Sequence, residues 1–128
     1  MTPANRFQQI DVDHIDRINR TIEFIETHLE RDLHLDMLAA HCAFSKYHFH
    51  RIFKALIGDP PFKYIEKRRL FHAAYDLIHS QKRILDIALE YGFNSHEAFI
   101  RSFKKYFSLT PGRFRKAQSN SDAALWCF

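Results

Sequence analysis

The sequence predicts an all-α fold of seven helices, arranged as two similar helix-turn-helix subdomains joined by one long helix. Three observations carry this expectation. Glycine occurs three times, proline four times and valine once in 128 residues, so strand and hairpin chemistry is scarce. Apolar residues recur at the three-and-four spacing of a helix along most of the chain. Finally, the stretch 38–54 is echoed by 87–104. With 46% hydrophobic content and thirteen phenylalanines, the chain has room for one domain with a filled core.

Residues 1–13 read as a loose leader. From His14 onward, Ile15, Ile18, Ile22, Ile25 and Leu29 keep helical spacing, so a helix of about four turns is expected to bury that stripe. Asp13 is its expected N-cap. A short helix is expected over residues 35–42, and a second after Ser45, whose hydroxyl can cap it. Phe49, Ile52, Phe53 and Leu56 form the inner face of that second helix. Gly58 and the pair Pro60-Pro61 end it, which closes a first subdomain at 14–60.

The long helix is expected over 61–79, burying Phe62, Ile65, Leu70, Ala73, Ala74 and Leu77, and Ser80-Gln81 breaks it. A second subdomain follows at 80–118. It comprises a short helix near 84–91, a turn at Gly92, a helix after Asn94-Ser95 and a last helix opened by Pro111. Residues 119–128 read as tail, and its end, Ala123 to Phe128, is apolar enough to dock on the domain.

The repeat is specific in detail. Leu38 to Phe44 aligns with Ile87 to Phe93 at an offset of 49, and Phe49 to Lys54 aligns with Phe99 to Lys104 at an offset of 50. The second segment shares the pattern FxRxFK. Pro61, Lys63 and Tyr64 answer Pro111, Arg113 and Phe114. Each copy has a small residue, Ala39 or Ala88, where two helices must approach closely, then a short turn, then a polar cap. Gly92 suits a left-handed turn position. Ala43 does so at a cost of ~1 kcal/mol.

The net charge of +4 conceals an asymmetry. Residues 1–40 hold four Lys/Arg against eight Asp/Glu, whereas residues 41–121 hold fifteen against six. Basic charge confined to one part of the chain suits a polyanionic partner. No apolar run reaches the ~18–20 residues of a membrane span, and the amino terminus lacks a signal-peptide pattern. Cys42 and Cys127 form no CxxC and no disulfide framework, which suits a reducing cytoplasm. The histidines form no metal-ligand pattern, and no nucleophile motif, phosphate loop or carboxylate pair points to an enzyme. No metal and no cofactor are expected.

The repeat, together with the run from Ile84 through Phe99-Ile-Arg-Ser-Phe-Lys to Thr110-Pro-Gly-Arg-Phe-Arg115, resembles the AraC/XylS transcription regulators, and in particular their short MarA, SoxS and Rob-like branch. The resemblance covers about residues 15–117. It implies a homeodomain-like, AraC-type pair of helix-turn-helix subdomains whose second helices enter adjacent major-groove segments of an asymmetric double-stranded DNA site. A monomer can thereby reach two half-sites that single-unit proteins reach as dimers, about 34–36 Å apart. A bacterial, cytoplasmic regulator, nucleoid-associated when bound, follows from the same resemblance. The acidic first segment (Glu23, Glu26, Glu30, Asp32, Asp36) is a candidate contact for RNA polymerase by the same analogy, or a solvated helix face.

The outward faces supply the candidate readers. Tyr47, His50 and Arg51 are expected to meet base edges from the first reading helix, Arg51 through a fork on guanine. The second offers Glu97, Ala98, Ile100 and Arg101. Ala98 and Ile100 suit thymine methyls, and Glu97 can accept from cytosine N4 while phosphates repel it. Lys46, Lys54, Lys63, His96, Lys104, Lys105, Arg113 and Arg115 are expected on phosphates, with Lys116 there or in solvent. The first reading helix is expected to discriminate bases and the second to hold and tune. Two other readings remain open at this level: a protein-interaction adaptor on the same fold, and the DNA-binding part of a longer effector-responsive regulator.

Overall fold

The computed structural model describes residues 11–120, apart from the side chain of Asn120. The leader through Ile10 and the apolar end of the tail lie outside the described residues. The described elements are α1 (Val12–Thr27), α2 (Leu35–His41), α3 (Lys46–Ile57), α4 (Pro61–His79), α5 (Ile84–Glu90), α6 (His96–Phe107) and α7 (Pro111–Asn120). No strand occurs among the described residues. The helix α7 runs two residues into the stretch expected to be tail. The chain gathers into two compact units, with the division inside α4 between Glu66 and Lys67.

In the first unit, α1 starts earlier than expected. Its cap is Asp11 rather than Asp13: the Asp11 carboxylate accepts from the His14 amide at 3.0 Å, and His14 Nδ1 accepts in return from the Asp11 amide at 3.2 Å. Asp13 falls in the first turn instead and pairs with Arg17 at 2.8 Å. The buried stripe is Ile18, Thr21, Ile25 and Leu29. Ile15 is exposed and Ile22 half-buried, so the helix is rotated toward Thr21 relative to an isoleucine-only stripe. Thr21 is satisfied locally: its Oγ1 donates to the Arg17 carbonyl at 3.0 Å and lies 2.6 Å from Cys42 Sγ. That contact ties α1 to the end of α2, and burial pushes the Cys42 thiol above its ordinary pKa.

The core of this unit is completed by Leu38, Ala39, Phe49, Ile52, Phe53 and Ile65. Leu56 is half-buried. Phe62, expected inside, is 78% exposed. Pro61 and Ile65 occupy the inward positions one turn apart, and residue 62 is rotated about 100° away from Pro61.

The second unit repeats the plan around Leu70, Ala73, Leu77, Ile87, Ala88, Phe99, Phe103 and Phe114. Tyr91 Oη donates to Asp76 at 2.9 Å, fastening α5 to α4. The end of α4 is closed from two sides. Ser80 Oγ donates to the Asp76 carbonyl at 2.7 Å, and Arg115 on α7 donates to the carbonyls of Leu77 at 2.9 Å and Ser80 at 3.4 Å.

The repeat seen in the sequence is a repeat in geometry. In each turn the amide of the aromatic residue returns to the small residue of the first helix: Phe44 to the Ala39 carbonyl at 2.9 Å, Phe93 to the Ala88 carbonyl at 3.0 Å. Both turns use a left-handed residue, Ala43 at φ 59° and Gly92 at φ 83°. Ser45 and Ser95 each accept from the third amide of the following helix at 3.1 Å. The two reading helices also end alike, in left-handed residues Gly58 and Ser108.

Two measurements test these assignments. Replacement Gly92→Ala should cost about 1 kcal/mol, because the added Cβ meets only ordinary contacts and the positive φ alone is strained. Ala43→Gly should stabilise by at most about 1 kcal/mol, since relief of the same strain is offset by entropy of the unfolded chain. Urea unfolding of both variants checks the pair; the opposite signs would contradict the left-handed assignment. Separately, the hydrogen bond from His14 holds Asp11 below the ordinary carboxylate pKa. The cap's contribution is therefore present above the ordinary carboxylate range and lost as pH falls through the lowered value. Asp11→Ala should remove that acid-dependent part of stability, read as a smaller slope of thermal midpoint against pH in the acid range.

Candidate nucleic-acid interface

The reading helices show their outward faces because their inner faces are fixed by aromatic packing. In α3, Phe49 and Phe53 pack at a tilt one turn apart, centroids 5.5 Å apart, and Phe53 meets Tyr64 edge-on at 5.5 Å. In α6, Phe99 and Phe103 pack at the same tilt, centroids 5.7 Å apart, and Phe103 meets Phe114 edge-on at 5.3 Å. With those rings buried, residues 47, 50, 51 and 54 fall on one exposed face of α3 by the 100° advance of a helix. Residues 97, 100, 101 and 104 fall on the equivalent face of α6.

In α3, Tyr47 is 78% exposed, and His50, Arg51 and Lys54 are exposed beside it. Lys46 stands apart from this group, since its Nζ pairs with Asp36 on α2 at 3.2 Å. The root of the helix is buttressed by aromatic rings. Phe44 packs on His48 at 4.9 Å and on His14 at 5.5 Å, with the Arg17 guanidinium 5.1 Å from its centre.

In α6, Glu97, Arg101 and Lys104 are exposed and Ile100 is half-buried, so the apolar contribution of this face is smaller than its sequence suggests. Ala98 is half-buried and lies a quarter turn from Glu97. Lys105 flanks the same side, with its Nζ 5.6 Å from the Tyr106 ring centre. His96 is exposed at the first position of α6.

Two further cations sit at helix starts. Lys63 is in the first turn of α4, with Asp59 at 4.0 Å, and Arg113 is in the first turn of α7, its amide bonded to Thr110 Oγ1 at 3.3 Å. Arg115 has a different role from the one the sequence suggested. It is half-buried and spends its guanidinium on the carbonyl end of α4. Sequence reading missed that role because both carbonyls lie 35 or more residues away along the chain. Among the described residues no group of three metal-ligating side chains forms, and no helix is long and apolar enough to cross a membrane.

The faces, turns and caps are those of a double helix-turn-helix protein, and comparison with known proteins agrees. Residues 38–117 match the family described as a helix-turn-helix domain. The HTH-type transcriptional regulator YbfP of Bacillus subtilis is 44% identical over 98 residues, which span 77% of this chain and 33% of that protein. The probable transcription factor PqrA of Proteus vulgaris is 43% identical over 101 residues, spanning 77% of this chain and 83% of its own. The crystal structure of a transcriptional regulator with an AraC-type DNA-binding domain from Chromobacterium violaceum superposes with a TM-score of 0.79 at 26% identity, over 88% of this chain and all of that one, 100%. The chain belongs to the AraC-type helix-turn-helix family of transcription regulators. It spans about a third of the length of the Bacillus relative and most of the Proteus one.

The structural role of Arg115 is directly testable. Arg115→Ala removes two charge-assisted bonds to carbonyls and should cost about 1.5–3 kcal/mol, whereas Lys116→Ala at an exposed position should change unfolding free energy by less than about 0.5 kcal/mol. Equal effects from the two variants would contradict the role given to Arg115.

Proposed function

We propose that this chain regulates transcription by reading an asymmetric double-stranded DNA site, as a monomer, with α3 and α6 in adjacent major-groove segments. The observation that carries the reading is the pair of equivalent exposed faces on two aromatic frameworks fifty residues apart, each with an arginine and a lysine one turn on. A duplicated reader whose two faces differ in sequence requires two different half-sites. Tyr47, His50 and Arg51 take base edges from α3, and Glu97, Ile100 and Arg101 take them from α6, with Ala98 at the margin. Arg51 and Arg101 each suit guanine O6 and N7. Lys54, Lys63, Lys104, Lys105 and Arg113 take phosphates; Lys46 and His96 border the two faces.

The acidic first segment (Glu23, Glu26, Glu30, Asp32, Asp36), in which all but Glu26 are exposed, is the candidate contact for RNA polymerase. A cytoplasmic location, nucleoid-associated on binding, goes with the same reading. The length of the Bacillus relative supports a second context for the same chemistry, in which a module of this kind forms part of a longer regulator.

Selection from random duplex DNA followed by mobility-shift titration tests the proposal, and absence of a shifted band even at low salt contradicts it. Given a selected site, Arg51→Ala should lower affinity by about 1–3 kcal/mol and flatten the choice at one base pair. Lys54→Ala should weaken all sequences alike and reduce the slope of log affinity against log salt by about 0.9. A uniform loss from Arg51→Ala would place that guanidinium on a phosphate.

A further inference from the structure

Glu97 is the one acid in either reading helix. Its counterpart in α3 is Tyr47, a neutral ring at the same helical position. Several acids of this protein are neutralised by neighbours: Asp13 by Arg17 at 2.8 Å, Asp36 by Lys46 at 3.2 Å and Asp86 by Arg83 at 2.9 Å. The exposed Asp16, Glu23 and Glu30 belong to the acidic first segment rather than to a reading helix. Glu97 has Arg101 one turn further on, at the spacing and in the acid-first order that favour an ion pair. The two side chains do not form one within 4.0 Å among the described residues, and both are exposed. An uncompensated carboxylate thus stands on a face that is otherwise fit for a polyanion.

We infer that Glu97 selects cytosine, and that together with Arg101 it requires a cytosine and a guanine close together in the half-site read by α6. This rests on the DNA-reading function proposed above. A carboxylate only accepts hydrogen bonds. In the major groove the donors are the amino groups of cytosine and adenine; guanine and thymine offer O6, N7 and O4, which are acceptors. Opposite an acceptor, Glu97 loses its water and gains nothing, and the phosphates repel it throughout. Cytosine N4 is the partner that suits a lone carboxylate, while the guanidinium fork of Arg101 suits guanine. Four residues of helix rise about 6 Å, and successive base pairs about 3.4 Å, so the two bases lie within about two steps of each other. Tyr47 imposes no such exclusion, so the first half-site tolerates substitution at the corresponding base.

An acid in the first turn of a helix also complements the helix dipole. That role affects the melting of α6 and leaves base choice untouched, which separates the two.

The test is selection from random duplex DNA with the full chain, Glu97→Gln and Glu97→Ala, with thermal melting by circular dichroism as the fold control. The parent chain should require cytosine at one position. Glu97→Gln should move the preference there to adenine, because an amide both donates to N7 and accepts from N6. Glu97→Ala should leave the position unselective, with discrimination reduced by roughly tenfold or more. If the parent chain enriches a sequence and both variants enrich the same one, the assignment to Glu97 is overturned while DNA reading stands. If the parent chain enriches nothing, the DNA-reading function falls first and the assignment with it.

Discussion

Each reading helix depends on two phenylalanines one turn apart and a third ring that meets the second of them edge-on. In α3 these are Phe49, Phe53 and Tyr64; in α6 they are Phe99, Phe103 and Phe114. Four of the six are wholly buried phenylalanines, and such rings in a close-packed core admit little rotation about the helix axis. Fixing the phase of the helix fixes which residues face water. Arg51 and Arg101 are exposed because they sit between the paired phenylalanines of their own helix. The function proposed for the outer faces therefore depends on the apolar framework inside them.

The turns convert that framework into a helix-turn-helix. A left-handed residue reverses the chain, the amide of Phe44 or Phe93 closes onto an alanine carbonyl, and a serine satisfies the third amide of the reading helix, one of its orphan donors. The cap and the hydrogen bond, each worth about 1 kcal/mol, set the angle between the two helices together with the left-handed residue. The first unit reaches this geometry with Ala43 where the second uses Gly92, and the second ends its reading helix with Ser108 where the first uses Gly58. Each unit carries one strained residue, and at a different place. The two units differ in their joints while their core rings share one arrangement.

Much of this was legible in the sequence, because the deciding signals are local. Ser45, Gly58, Pro61, Gly92, Ser95 and Pro111 mark boundaries through their own backbone chemistry, and all six stand where helices begin, turn or end. What was not legible depended on the phase of a helix or on distant partners. Apolar spacing gave α1 the right period but not its rotation, which is set by the contact between Thr21 and Cys42 across twenty-one residues. Phe62 matched an apolar pattern, yet Pro61 and Ile65 hold the inward side of α4. Asp11 took the cap from Asp13 because His14 could bond back to it, a reciprocal fit that composition does not reveal. Arg115 carried the charge of a phosphate binder and found carbonyls instead. At the reading faces, residue identities gave the candidates, and the structure added that Lys46 is drawn toward Asp36 and that Ile100 is partly covered.

The central claim is that both reading helices work in the major groove. Guanine N7 lies in that groove, so methylation interference on a selected duplex reports it directly. The account predicts two separate clusters of guanines whose methylation blocks binding, centred about one helical turn, roughly 10 base pairs, apart and unlike in sequence. A single cluster, or interference confined to the minor groove, would contradict it.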